Sequence, residues 1–128
     1  MALLLDTHAF LWFIDDDPRL SPRAAARISD PAERVLISVV SLWEITIKLG
    51  TGKLTLDRPV AEIWEESLTA NDFESLDVTA AHVLALRTLP LHHRDPFDRL
   101  LIAQAVAEDL HVVTVDSAFA AYPIERVW

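Results

Sequence analysis

Ala2-Leu3-Leu4-Leu5-Asp6-Thr7-His8-Ala9-Phe10-Leu11-Trp12-Phe13-Ile14 opens the chain with an apolar run, an acid and a second apolar run. A short apolar run with no polar alternation suits a strand buried on both faces. An acid ends it at Asp6, and His8–Ile14 then reads as a dense apolar helix that stops at Asp15-Asp16-Asp17-Pro18. The same grammar recurs downstream. Val35–Ser38 reads as a strand and passes into a helix over Val39–Leu49 that ends at Gly50. His111–Val115 is a β-branched strand followed directly by Asp116.

Between these units the signals are helical. Ser21-Pro22 opens a helix with Ser as its cap and Pro in its first turn, ending near Asp30-Pro31. Pro59–Ala70 sets Val60, Ile63, Trp64 and Leu68 against Glu62, Glu65 and Glu66. Phe73–Val78 is a weak strand, and Thr79 caps a helix through about Leu86. Thr88–Arg94 is a loop holding His92 and His93, and Asp95-Pro96 starts a helix that runs to about Glu108. Ser117–Ala121 is a single helical turn, and Ile124–Trp128 is a terminal strand. Strands alternating with helices predict an α/β fold, with a mainly parallel central sheet of about five strands flanked by helices on both faces. The 128 residues are expected to form one domain over residues 1–128.

Composition removes several functions. The only glycines are Gly50 and Gly52, so no Gly-rich phosphate loop exists. There is no Cys, which excludes disulfide scaffolds, thiol catalysis and zinc ribbons. A hydrophobic share of 52% is enough for a packed core and excludes a disordered chain. The start has no basic segment and meets an acid at Asp6, so it is not read as a signal peptide. No apolar run approaches the roughly 18 residues of a membrane span. A cytoplasmic, membrane-free protein is the expectation. Asp and Glu number 20 against 11 Lys and Arg, a net charge of −9, which as a whole repels nucleic acid.

The positions of the acids say more than their number. Asp6 and Asp116 follow strands, and Glu44 lies early in the helix after Val35–Ser38. In a parallel α/β sheet, strand C-termini and the N-termini of the following helices share one edge, where such folds bind ligands. Asp6, Glu44 and Asp116 are therefore expected to converge. Asp95 and Asp98 open the helix that precedes the last long strand, and spacing alone leaves open whether Asp98 joins them. Each acid also has an ordinary explanation. Asp6, Asp95 and Asp116 can cap helices, and Ser41-x-x-Glu44 fits a capping box. As a group they repel one another, and a cation sustains such clustering. Oxygen ligands without Cys point to Mg²⁺ or Mn²⁺, ions suited to phosphoryl chemistry.

Four motifs in order carry a resemblance over essentially the whole chain. They are Leu3-Leu-Leu-Asp-Thr-His-Ala-Phe-Leu-Trp12, Ser38-Val-Val-Ser-Leu-Trp-Glu-Ile45, His93-Arg-Asp-Pro-Phe-Asp-Arg-Leu-Leu-Ile-Ala103 and Thr114-Val-Asp-Ser-Ala-Phe119. The chain resembles the PIN-domain nucleases, and within them the VapC-type toxins of type II toxin–antitoxin systems. The resemblance implies a PIN-like fold that brings the helix at Asp98 to the acidic pocket. It implies a magnesium-dependent endoribonuclease with the catalytic and metal-binding quartet Asp6, Glu44, Asp98 and Asp116. Asp6, Asp98 and Asp116 would hold the ion, and Glu44 would complete the pocket and help deprotonate the attacking water. Asp95 matches an additional acid of the subgroup and also reads as a cap. Thr114 matches a hydroxyl residue that orients Asp116 or a water. RNA is the implied substrate. The implied partners are a homodimer mate and an antitoxin whose basic segment lies near the acids.

Other residues have two readings each. Lys48 can meet a phosphate or pair with Glu44 one turn away. Arg94 and Arg99 can bind the RNA backbone or form surface pairs. His8 can orient Asp6 or pack. His92 and His93 can contact phosphate or lie solvated on their loop. Ser38 and Ser41 read as caps. Trp12, Trp43 and Trp64 read as core or dimer interface, and Phe97 as a base-stacking candidate. Phe10–Ile14 with Trp43 is also a candidate groove wall for a partner helix. Two alternatives stand beside the toxin: a housekeeping PIN nuclease that matures RNA, and a receiver-type signalling domain. The second needs paired acids after the first strand and a late Lys. Here Asp6 is followed by Thr7-His8, and the only lysines are Lys48 and Lys53.

Overall fold

The computed structural model describes residues 2–128. Among these, five strands form one sheet in the order β3-β2-β1-β4-β5, and every neighbouring pair is parallel. The strands are β1 (Ala2–Leu5), β2 (Arg34–Ser38), β3 (Glu74–Leu76), β4 (His111–Val113) and β5 (Arg126–Val127). The helices are α1 (Thr7–Ile14), α2 (Pro22–Ser29), α3 (Val39–Gly50), α4 (Val60–Thr69), α5 (Ala80–Ala85) and α6 (Pro96–Glu108). A short 3₁₀ turn spans Ser117–Ala121.

β1 is central because each of its faces has something to bury. Leu3 and Leu5 enter a core with Phe10, Ala24, Ile28 and Ile63 from α1, α2 and α4. Leu4 points the other way, into a core with Leu101, Ile102 and Ala105 of α6, Phe119 and Tyr122. That is the period-2 geometry of a strand between two helical layers. Leu4 is fully buried and lies beside Leu36 and Val112 in register. Leu4→Ala is expected to cost about 2–5 kcal/mol of stability in urea denaturation.

The outer strands are shorter than their apolar runs suggest. Phe73–Val78 contracts to Glu74–Leu76, His111–Val115 to His111–Val113 and Ile124–Trp128 to Arg126–Val127. Asp116 therefore does not directly follow its strand. Thr114 still donates its N–H to Val127 O at 3.2 Å. Its hydroxyl then accepts the Asp116 N–H at 3.0 Å, turning the chain away from the sheet.

The topology creates one special place. From β1 the chain builds outward through β2 and β3, then returns to the other side of β1 for β4 and β5. Open α/β sheets bind ligands where strand order reverses, outside the strand C-termini. That switch point lies between β1 and β4, where the Asp6 N–H donates to Val113 O at 3.1 Å. Only two residues separate α6 from β4, so the helix runs back along the sheet and brings its first turn to the same edge. No helix among the described residues is long and apolar enough to cross a membrane.

Candidate active site

Three of the acids are held by the caps they form. Asp6 Oδ1 accepts the Ala9 N–H at 2.8 Å, at the start of α1. Asp95 Oδ1 accepts the N–H groups of Phe97 and Asp98 at 2.9 and 3.1 Å, at the start of α6. Asp116 Oδ1 accepts the Ala118 N–H at 2.9 Å. Capping and clustering are thus not alternatives: the cap orients a carboxylate whose second oxygen has no part in it. Asp98, in the first turn of α6, completes the set at this edge.

Glu44 is held differently. The expected Ser41–Glu44 capping box does not form, because α3 begins at Val39, directly after β2, and Ser38 is its cap, accepting the Val40 N–H at 3.0 Å. Ser41 lies inside the helix. Glu44 is only 4% exposed, with Oε1 accepting from the buried Thr7 hydroxyl at 2.7 Å and Oε2 from Lys48 Nζ at 2.7 Å. Thr7 also makes a 3.0 Å hydroxyl contact with Ser41, so α1 and α3 are joined beside the acid. The Glu44–Lys48 pairing is the i,i+4 reading of the sequence.

The second carboxylate oxygens of Asp98 and Asp116 meet at His93. Its Nε2 lies 2.8 Å from Asp116 Oδ2 and 3.2 Å from Asp98 Oδ2. Ligand atoms of His93, Asp98 and Asp116 all fall within 4.8 Å of one another. His93 is therefore not a solvated loop residue. Its ring packs edge-on against Phe119 at 5.6 Å, and only 14% of its side chain is exposed.

The acids differ in how far their charge is relieved. Burial pushes the Asp98 carboxyl up to about 7, and the neighbouring charges of Asp95, Asp6 and Glu44 add to this against a smaller opposing effect of His93. Burial also raises Asp6, with Glu44 adding to it, while a hydrogen bond from Thr114, the Ala9 N–H and the charge of His8 pull it down. At Asp116, burial is outweighed by the hydrogen bonds from the Ala118 N–H and His93 and by nearby positive charge that includes Arg126, and the carboxyl sits below its ordinary value. The fully buried Thr114 hydroxyl thus accepts the Asp116 amide on one side and helps to hold the Asp6 carboxyl down on the other.

The basic residues are placed unequally. Arg99 turns away from solvent and donates to the carbonyls of Leu86, Leu89, Pro90 and His93. Arg94 is exposed. His8, Arg19, Lys48 and Lys53 line a cleft of about 390 Å³ that begins at Thr7, beside Glu44, with Trp12 and Leu54 in its wall. Trp12 and Trp64 pack against the core. Trp43 does not belong to it: it is 54% exposed and lies edge-on to Phe97 at 4.8 Å, on the rim of the acidic edge.

A buried network behind the site has no local sequence signature. Ser38 Oγ donates to Gln104 Oε1 at 2.6 Å, Gln104 Nε2 donates to Asp77 O at 3.3 Å, and His82 bonds Glu108 at 2.9 Å. It ties the end of β2 to the middle of α6, so the helix that carries Asp98 is locked to the sheet.

Comparison with known proteins identifies this architecture. The PIN domain family matches residues 3–125. The chain belongs to the PIN-domain family. This PIN chain is 28% identical to Ribonuclease VapC22 of Mycobacterium tuberculosis over 131 residues, covering 99% of this chain and 98% of that one. In fold it is similar to VapBC2 from Rickettsia felis, solved bound to a DNA fragment from their promoter. The TM-score is 0.73 at 19% identity, over 100% of both chains. It is also similar to DNA-bound VapBC from Salmonella typhimurium, with a TM-score of 0.69 at 19% identity, over 98% of this chain and 96% of that one. Membership of the PIN family removes the receiver-type alternative.

Proposed function

We propose that this PIN chain is a divalent-cation-dependent endoribonuclease, of the VapC toxin type, working in the cytoplasm. The observation that carries the reading is the grouping of Asp98 and Asp116 with His93, their ligand atoms within 4.8 Å of one another, while burial and the nearby charges of Asp95, Asp6 and Glu44 push Asp98 up to about 7. A pocket in which a buried carboxyl is crowded by other acids fits a cation, and its hard oxygen donors fit Mg²⁺ or Mn²⁺.

Asp6, Asp98 and Asp116 would hold the ion, with Asp95 capping α6 behind them. When bound, the ion would activate water and neutralise charge developing on a phosphodiester. Glu44 has both oxygens engaged, by Thr7 and by Lys48, which suits it to orienting the attacking water from a fixed position. Thr114 would orient Asp116, whose N–H its hydroxyl accepts.

RNA is proposed to reach the acids over the cleft of His8, Arg19, Lys48 and Lys53, with Arg94 on the exposed loop as a further phosphate contact. Arg99 is given no RNA contact, because its guanidinium serves loop carbonyls. A net charge of −9 denies the chain any bulk attraction for RNA and favours a basic antitoxin segment as inhibitor. A homodimer and a toxin–antitoxin complex are the proposed assemblies, named from the Ribonuclease VapC22 and VapBC similarities.

Induced expression of the wild-type chain in a bacterial host is the test in cells. Growth arrest is expected, with none from Asp6→Asn produced at the same level. Equal growth of both cultures and of an empty-vector control would contradict the toxin reading.

A further inference from the structure

The loop before α6 is irregular, yet both its carbonyls and its N–H groups are tied down. Arg99 donates to the carbonyls of Leu86 (3.3 Å), Leu89 (3.2 Å), Pro90 (3.0 Å) and His93 (3.4 Å). The Tyr122 hydroxyl accepts the N–H groups of His92 (3.0 Å) and His93 (2.8 Å) and donates to Pro90 O at 2.8 Å. Surface loops ordinarily leave such groups to water. Here two side chains from α6 and the C-terminal segment take them up, and the residue they fix most directly is His93.

The chemistry of His93 follows from its other nitrogen. Nδ1 accepts the Asp95 N–H at 3.2 Å. A ring nitrogen that accepts an N–H carries no proton, so the proton of the neutral ring is on Nε2. Nε2 is the atom facing the acids, and it donates to Asp116 Oδ2 with Asp98 Oδ2 at 3.2 Å. A histidine that ligates a cation through Nε2 needs the opposite arrangement, a free lone pair toward the ion and an N–H on Nδ1 toward an acceptor. The Asp95 amide, itself a donor, opposes that tautomer.

We propose that His93 is a positioning residue of the carboxylate site and not one of its ligands. Arg99 and Tyr122 set the loop, the Asp95 amide sets the tautomer, and the Nε2–H holds the outer oxygens of Asp116 and Asp98 at a fixed spacing. This rests on the cation-site reading above.

The first test needs no variant. In wild-type protein carrying ¹⁵N-histidine, the His93 Nδ1 resonance is expected in the unprotonated range and Nε2 in the protonated range, before and after Mg²⁺ is added to saturation. Transfer of the proton to Nδ1 when Mg²⁺ binds would make His93 a ligand and overturn the proposal. The second test is Mg²⁺ titration by calorimetry. His93→Leu is expected to weaken binding about 10–100-fold, as loss of a residue that orients ligands does. His93→Gln keeps an N–H donor and is expected to stay close to wild type. Wild-type affinity in His93→Leu would overturn the positioning role alone. Failure of the wild type itself to bind Mg²⁺ would overturn the cation-site reading beneath it.

Discussion

Asp98→Asn is expected to lower Mg²⁺-dependent RNA cleavage by roughly a thousandfold or more, the equivalent of losing about 4 kcal/mol of metal-derived transition-state stabilisation. The substitution changes little else. Asn keeps the size of Asp98 in the first turn of α6, and the Asp95 cap that starts the helix uses the Asp98 backbone N–H, not its side chain. What disappears is one of the charges around which the pocket is built. The loss is expected in kcat at saturating Mg²⁺ and RNA, measured as initial rates on a labelled RNA. The metal-free variant is also expected to be more stable than wild type at pH 8, since the carboxyl it removes is repelled by Asp95, Asp6 and Glu44. Activity above a tenth of wild type would take Asp98 out of the site.

The second large effect is on stability. Burial first, and then its acidic neighbours, raise Asp98 from 3.8 to about 7. The folded protein therefore binds this proton more tightly than the unfolded chain does. The stabilisation from it is fully present below 3.8 and is lost as the pH rises through about 7. Asp6 is shifted in the same direction by its burial. Asp116 is lowered and contributes in the opposite sense, but its contribution is lost only in acid, below the window that matters here. A bound cation takes the place of the proton. At a free concentration about 100 times its Kd it adds about 2.7 kcal/mol, provided the unfolded chain does not bind it. For a domain of this size that is a rise in Tm of roughly 8 °C. Thermal melts in EDTA and in saturating Mg²⁺ are expected to differ widely at pH 8 and to draw together at pH 5.5, where the proton competes. In Asp98→Asn most of this difference is expected to vanish. Coincident melts with and without Mg²⁺ at pH 8 would contradict the account.

Much of the fold is legible in the sequence because its signals are local. Leu3-Leu4-Leu5 marks a strand covered on both faces, and the two cores take its alternate residues. Asp6, Ser21, Asp95 and Asp116 mark helix starts, and each accepts the N–H that a cap should. The sequence misleads where spacing is compatible with two geometries, or where partners lie far apart along the chain. Ser41-x-x-Glu44 matches a capping box, but the strand runs straight into the helix and Ser38 takes the cap. His93 sits in a polar loop, and partners that turn it inward, Asp116 and Tyr122, lie 23 and 29 residues away. The Ser38–Gln104 bond spans 66 residues. Trp43 follows a helical apolar pattern, yet it lies past the end of the core and stays exposed against Phe97. In the sequence this Trp–Phe pair at the rim of an acidic edge is only two aromatic residues in separate motifs.

The net charge of −9 takes on a different meaning once the acids are located. Part of it is concentrated at the switch point of the sheet, where a divalent ion would turn a repulsive pocket into one that accepts a phosphodiester. Three cationic side chains, Lys48, Lys53 and Arg19, lie to one side of it in a single cleft. On the proposed mechanism these carboxylates hydrolyse RNA only with a divalent cation. The most direct measurement is RNA cleavage by the purified wild-type chain, stripped with EDTA, then supplied with Mg²⁺ or Mn²⁺, beside Asp6→Asn treated identically. Cleavage restored by the ion in wild type and absent from Asp6→Asn is the expected result. Equal cleavage with and without the ion, or by both proteins, would contradict it.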